Sequence, residues 1–169
     1  GGELCVHAKL PDALEKFPKT KTSFVIVRNP WDWCVSWYFY EKIVTRRNIE
    51  WIKKNPSRIN IDKDKHDLDL QTYKLNILKQ GFANYINFMD TTPQYHFTEG
   101  VDKILTMENL KEDFKQIQQI VNVYTPLPNV NVGKRKRDYR AYYTKKLRDI
   151  VADKYSEDIK RFGYKYETP

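Results

Sequence analysis

An arginine that closes a short apolar strand and runs straight into an Asn-Pro pair is suited to holding an anion. In Ser23-Phe24-Val25-Ile26-Val27-Arg28-Asn29-Pro30 the β-branched run reads as a buried strand. Asn29 can cap a helix and Pro30 is preorganised for a first helical position, so a helix is expected from Pro30 to about Thr45. The N–H groups of such a helix start and the Arg28 guanidinium would converge on one spot, and Ser36 could add a hydroxyl from the second turn. The pattern also serves ordinary structure, because an arginine at a strand end can equally form a salt bridge or cap a neighbouring helix.

The other concentration of chemistry is basic. The 169-residue chain carries a formal charge of +8, and +7 of it falls between Asn131 and Arg148, where Lys134, Arg135, Lys136, Arg137, Arg140, Lys145, Lys146 and Arg148 face the single anion Asp138. A cluster of this kind suits a polyanionic partner, whether nucleic acid, a phosphorylated cofactor, a charged glycan or a membrane surface, although it also serves as a solvated basic face. Cys5 and Cys34 form no C-x-x-C pair, and His7, His66 and His96 are widely spaced. Neither a disulfide framework nor a metal site is expected, and a reducing, cytoplasmic setting is the default.

The elements that must position these groups follow from periodicity. A second strand is expected over Val101–Met107, followed by a helix carrying Leu110, Phe114, Ile117 and Val121 on one face. One or two helices are expected from Leu68 to Met89, with Gly81 as the weak point, and another near the C-terminus, broken at Ser156 and stopped at Gly163. Residues 46–67 are polar and contain a proline, which predicts a surface excursion, and residues 1–22 give no convincing element. Strand–helix alternation predicts an α/β fold with a short parallel sheet flanked by helices, organised as one domain over residues 1–169. With a mean hydropathy of −0.75 and no apolar run near the roughly 20 residues a bilayer requires, no membrane-spanning helix is expected. Its 12 Tyr, 8 Phe and 4 Trp supply more buriable surface than a disordered chain would carry.

The segment from Phe24 to Tyr38 (FVIVRNPWDWCVSWY) closely resembles the "F-x-x-V-R-N-P-[WY]-D-x-x-x-S-x-[YF]" segment of the sulfotransferase superfamily, in its carbohydrate-type branch. Ile104–Phe114 (ILTMENLKEDF) is similar to that family's "I-L-R-x-E-N-L-x-x-D-F" stretch. Leu127–Asn131, Tyr139–Thr144 and Tyr155–Tyr164 are similar in order and spacing to its C-terminal "L-P-x-x-N … Y-x-x-Y-Y-[TD] … Y-x-x-D-[IL]-x-x-F-G-Y". The resemblance implies a P-loop-kinase-like sulfotransferase fold using 3′-phosphoadenosine 5′-phosphosulfate (PAPS), released as adenosine 3′,5′-bisphosphate (PAP). It implies that Arg28 and Ser36 hold the 3′-phosphate and that Gly133-Lys134-Arg135 lies in the basic loop that closes over the nucleotide. It also makes His7, shortly before the Arg-Asn-Pro strand, the candidate catalytic base for an acceptor hydroxyl, with a carbohydrate as the expected acceptor. Sulfuryl transfer needs such a base, because the acceptor O–H must lose its proton as the leaving oxygen gains charge. Glu108 resembles a packing or capping residue of the family.

The family's phosphosulfate-cradling loop, which precedes the first matched segment, has no counterpart before residue 23, since no Gly-x-x-[ST]-[ST] stretch occurs there. The chain as it stands is therefore expected to fall short of full-rate transfer, with a longer gene product, a partner chain or a binding-only role as the alternatives. A truncated eukaryotic member would belong in the Golgi lumen instead. Two other functions compete: a non-catalytic binder of adenosine 3′,5′-bisphosphate or of an acidic glycan, and a nucleic-acid binder combining the 134–148 cluster with Tyr139, Tyr142 and Tyr143. The nucleic-acid reading leaves residues 23–38 unexplained. The three tryptophans at 31, 33 and 37 are expected in the core or an interface, since one helix cannot turn all of them to one ligand.

Overall fold

Strand β1 (Phe24–Val27) and strand β2 (Lys103–Thr106) pair in parallel, with Val25 opposite Ile104 and Val27 opposite Thr106. They form a two-stranded sheet in a computed structural model that describes residues 9–16, 22–56, 67–127, 135–136 and 138–166. The chain divides into two compact units: Gly1–Pro30 with Thr91–Val130 and Lys154–Pro169, and Trp31–Asp90 with Asn131–Asp153. The expected α/β class, a short parallel sheet with helices around it, is what the structure has.

Two strands alone make a weak sheet, and in the first unit side chains fasten both ends. At the start, the Ser23 backbone N–H and hydroxyl both donate to Asp102 Oδ2 at 2.8 Å, and the Asp102 N–H returns a bond to Ser23 Oγ at 3.1 Å. At the far end of β2, Asp113 accepts from the Thr106 N–H at 2.8 Å and from the Asn109 amide at 2.7 Å. Asp113 belongs to α5 (Leu110–Val121), whose Ile117 is buried with Val27 and Leu105 and whose Phe114 meets Phe24 edge to face at 6.2 Å. Helix α5 ends as Asn122 turns into the left-handed region at φ 52°. The same unit contains α1 (Leu10–Lys16), which the sequence did not suggest, a 3₁₀ turn over Gln94–Phe97, and α7 (Ser156–Phe162), closed by Gly163 at φ 69°.

The second unit is built on α2 (Pro30–Lys54), which runs nine residues past the expected stop at Thr45. Trp31, Tyr38, Thr45 and Ile52 recur every seven residues and are each at most 6% exposed, so the helix continues because its far end also has a buried stripe. Residues 46–54 are therefore helix and not loop, and 57–66 lie outside the described residues. Around that stripe sit α3 (Leu68–Lys79), α4 (Phe82–Phe88), a 3₁₀ turn over Tyr139–Tyr142 and α6 (Lys145–Lys154). Tyr38 is the hub: its ring meets Phe82 at 5.6 Å and Tyr85 at 5.4 Å, and its hydroxyl donates to the Leu78 carbonyl at 3.1 Å. The expected weak point at Gly81 is where α3 gives way to α4, with Gly81 at φ 107° and ψ 173°. No described helix is long and apolar enough to cross a membrane.

Two stability measurements follow. A side chain at Gly81 would meet nothing within 4 Å, so any penalty is conformational. Gly81→Ala is expected to cost about 1–3 kcal/mol, read as a fall in calorimetric Tm of several degrees; an unchanged Tm contradicts the backbone assignment. The Thr106 N–H above all, aided by the Thr106 hydroxyl and the Asn109 amide, holds the Asp113 carboxyl below its usual value. That contribution is present above the ordinary carboxylate pKa and is lost as pH falls through the lowered one. Asp113→Asn is thus expected to melt a few degrees below the parent at neutral pH, the gap closing as both are acidified below about pH 4. A gap that persists unchanged in strong acid contradicts the assignment.

Candidate functional site

Arg28 follows β1 directly, and its backbone is held from both sides by a single side chain. The Arg28 N–H donates to Gln94 Oε1 at 2.8 Å, and Gln94 Nε2 donates to the Arg28 carbonyl at 2.8 Å. These two bonds fix which end of the amide is which, since the opposite orientation would oppose donor to donor. Gln94 is itself secured from behind: Asp158 of α7, fully buried, accepts from the Gln94 N–H at 2.9 Å and the Tyr95 N–H at 2.8 Å. Burial pushes the Asp158 carboxyl above its ordinary value, while those two N–H groups pull the other way.

The next residue is anchored just as firmly. The Asn29 N–H donates to Glu108 Oε1 at 2.7 Å, and the Asn29 side chain donates to the Lys165 carbonyl at 3.1 Å. Glu108 Oε2 accepts from the Tyr164 hydroxyl at 3.1 Å, so both carboxylate oxygens are engaged. Burial, together with the Glu108 charge, drives the Tyr164 phenol far above its usual range, and the positive charge of Arg28 works against that shift. The packing and capping role anticipated for Glu108 takes this concrete form.

These bonds take up the backbone N–H groups just ahead of the helix start. The Arg28 and Asn29 N–H groups do not stand open for an anion, because a buried amide needs a partner and Gln94 and Glu108 supply it. The Arg28 side chain therefore starts from a backbone restrained by hydrogen bonds at both its N–H and its carbonyl.

Of the remaining site residues, the described ones, Ser36 and Arg135, belong to the second unit. Ser36 lies on the second turn of α2, half-buried, on the helix face that also carries Trp33, Trp37 and Tyr40. The rings of those three form a tilted stack, at 6.3 Å between Trp33 and Trp37 and 5.3 Å between Trp37 and Tyr40. Trp31 faces elsewhere, buried, with its indole N–H donating to the Arg148 carbonyl at 3.0 Å. Arg135 is 16% exposed and forms an ion pair at 2.7 Å with Asp32, in the first turn of α2. His7, Gly133 and Lys134 lie outside the described residues, as do His66 and Arg137.

The basic stretch is less naked than its sequence suggests. Arg135 pairs with Asp32, Arg140 with Asp138, and both Lys145 and Arg148 with Asp149, while Lys136 and Lys146 are exposed. The tyrosines that could stack on bases are packed inside the second unit. Tyr139 is 6% exposed, Tyr142 lies between Phe39 and Phe82, and the Tyr143 hydroxyl donates to the Trp31 carbonyl at 2.8 Å.

Gln94 and Asp158 escaped the reading of residue types. Gln94 gives no sequence signal, because its partner is 66 positions away. Asp158 gives one: it lies between Tyr155 and Phe162 on what should be the apolar face of a helix, and a carboxylate there must find internal donors.

Among protein-family profiles, residues 7–165 match the Sulfotransferase family. No curated protein and no solved structure matches the chain. The match takes in both strands, the junction at Arg28 and Asn29, and α7 with its buried Asp158. The chain belongs to the sulfotransferase family, and the chemistry that membership brings is transfer of a sulfuryl group from a nucleotide donor to an acceptor.

Proposed function

We propose that the donor is 3′-phosphoadenosine 5′-phosphosulfate and that the acceptor is a carbohydrate hydroxyl. In this reaction the acceptor oxygen forms a bond to sulfur, the bond from sulfur to the bridging phosphate oxygen breaks, and adenosine 3′,5′-bisphosphate leaves. The acceptor proton passes to a base. The observation that carries the reading is the immobilised end of β1: Arg28 stands between a strand and a proline-started helix, in a chain that matches the family over residues 7–165. A guanidinium on a fixed backbone meets a phosphate with little loss of conformational freedom, and a planar fork of donors suits its oxygens.

In this reading Arg28 and Ser36 hold the 3′-phosphate, with the Gly133-Lys134-Arg135 loop laid against the nucleotide. Arg135 would then exchange Asp32 for the ligand or share it, since its guanidinium has donors for both. His7 takes the acceptor proton.

Thermal melting tests the donor. Adenosine 3′,5′-bisphosphate at a hundredfold excess over Kd is expected to stabilise the fold by about 2.7 kcal/mol, whereas adenosine 5′-monophosphate at the same concentration should give a smaller shift. Equal shifts, or none, contradict a 3′-phosphate site. Arg28→Ala is expected to weaken bisphosphate binding roughly 10- to 100-fold, as for the loss of a charged hydrogen-bond pair; unchanged affinity refutes the assignment. His7→Ala should leave bisphosphate affinity intact and lower any transfer rate by about 10² to 10⁴, and parent-like transfer removes His7 from the reaction.

A further inference from the structure

Gln94 makes no direct claim on substrate, yet its carboxamide bonds both backbone polar groups of Arg28. We infer that Gln94 is a positioning residue for the 3′-phosphate site, with Asp158 as its support. This rests on the reading of Arg28 given above and goes beyond it, because it assigns the accuracy of the phosphate contact to a residue from a separate 3₁₀ turn.

At the end of β1 the ladder to β2 runs out: the Met107 N–H still donates to the Val27 carbonyl at 2.8 Å, and beyond it Arg28 has no strand residue of β2 opposite. The Gln94 carboxamide stands in for that missing strand. Its oxygen and nitrogen reproduce the acceptor and donor of a peptide group, at 2.8 Å each. Both torsions that would swing the Arg28 Cα are thereby restrained, and the guanidinium starts from a fixed root.

The carboxamide is restrained in turn. Gln94 is 9% exposed and caught at its own N–H by Asp158, which has no exposure at all. Asp158 uses its second oxygen on the neighbouring Tyr95 N–H at 2.8 Å. The order of dependence is therefore Asp158, the 94–95 backbone, the Gln94 side chain, and then Arg28. Since Arg28 precedes the proline that starts α2, a rotation there would redirect the guanidinium without unfolding either element.

A residue that only supports the fold and one that aims Arg28 differ in which ligand they affect. General damage weakens the bisphosphate and the 5′-monophosphate together, whereas a misdirected Arg28 weakens only the ligand with the 3′-phosphate. The experiment is calorimetric titration of the full chain with adenosine 3′,5′-bisphosphate and with adenosine 5′-monophosphate, for the parent, Gln94→Ala and Gln94→Met. Methionine keeps the volume and removes both hydrogen bonds.

In the variants the bisphosphate-to-monophosphate affinity ratio is expected to fall at least tenfold, with monophosphate affinity within about twofold of the parent. A parental ratio in folded variants overturns the inference and leaves the donor assignment standing. A parent that does not discriminate between the nucleotides overturns the donor assignment and the inference with it. If both variants are unfolded without ligand, Gln94 serves the fold and not the aim of Arg28, which also overturns the inference.

Discussion

Everything around Arg28 depends on one substitution of roles: side chains complete the end of β1, beyond its last residue paired with β2. The end of β1 is satisfied by a glutamine carboxamide, which reaches both the N–H and the carbonyl of Arg28, and by a glutamate carboxylate, which accepts from the Asn29 N–H. An unpaired buried amide costs about 1–3 kcal/mol, so each of these residues is constrained by the backbone it serves. The consequence for function is a charged side chain on a rigid root. The same device appears at the other end of the strands, where Asp102 and Ser23 tie the chain together, and at Thr106, where Asp113 closes the turn into α5.

The second unit solves a different problem by aromatic packing. The long α2 buries Trp31, Tyr38, Thr45 and Ile52 along one stripe, and the tyrosines of the 139–143 segment donate and stack against its first turns. Arg135 adds an ion pair to Asp32 in that same first turn, and the Lys136 N–H donates to the Tyr142 hydroxyl at 2.8 Å. The basic segment is thus tied at 135–136 to well-packed structure, which lowers the ordering cost for any ligand it contacts.

The elements that were legible in the sequence were those whose signals are local. The β-branched run before Arg28, the proline after it, the glycine between α3 and α4, and Gly163 after α7 each mark their own boundary. The continuation of α2 through Lys54 was hidden because its seven-residue stripe passes through a threonine and then through a charged surface, so hydropathy alone suggested a loop. At the site, Arg28 and Ser36 were visible as residue types beside a helix start, and the family resemblance gave them roles. The support for Arg28 was not visible, because Gln94 comes from 66 positions away and no pattern of spacing links the two; Glu108, which holds Asn29, was marked by the resemblance alone. The pairing of Arg135 was hidden for the same reason: Asp32, its partner, is remote in sequence.

Amide hydrogen exchange at Arg28 and Asn29 tests most directly whether side chains hold this strand end. Exchange at both is expected to be as slow as at Met107, whose N–H bonds to Val27 across the strand pair, and to proceed only through larger opening of the unit. In Gln94→Ala, the Arg28 amide should lose its protection while the Asn29 amide, held by Glu108, keeps most of its own. Exchange of both amides in the parent protein at the rate of an unstructured peptide would contradict the account.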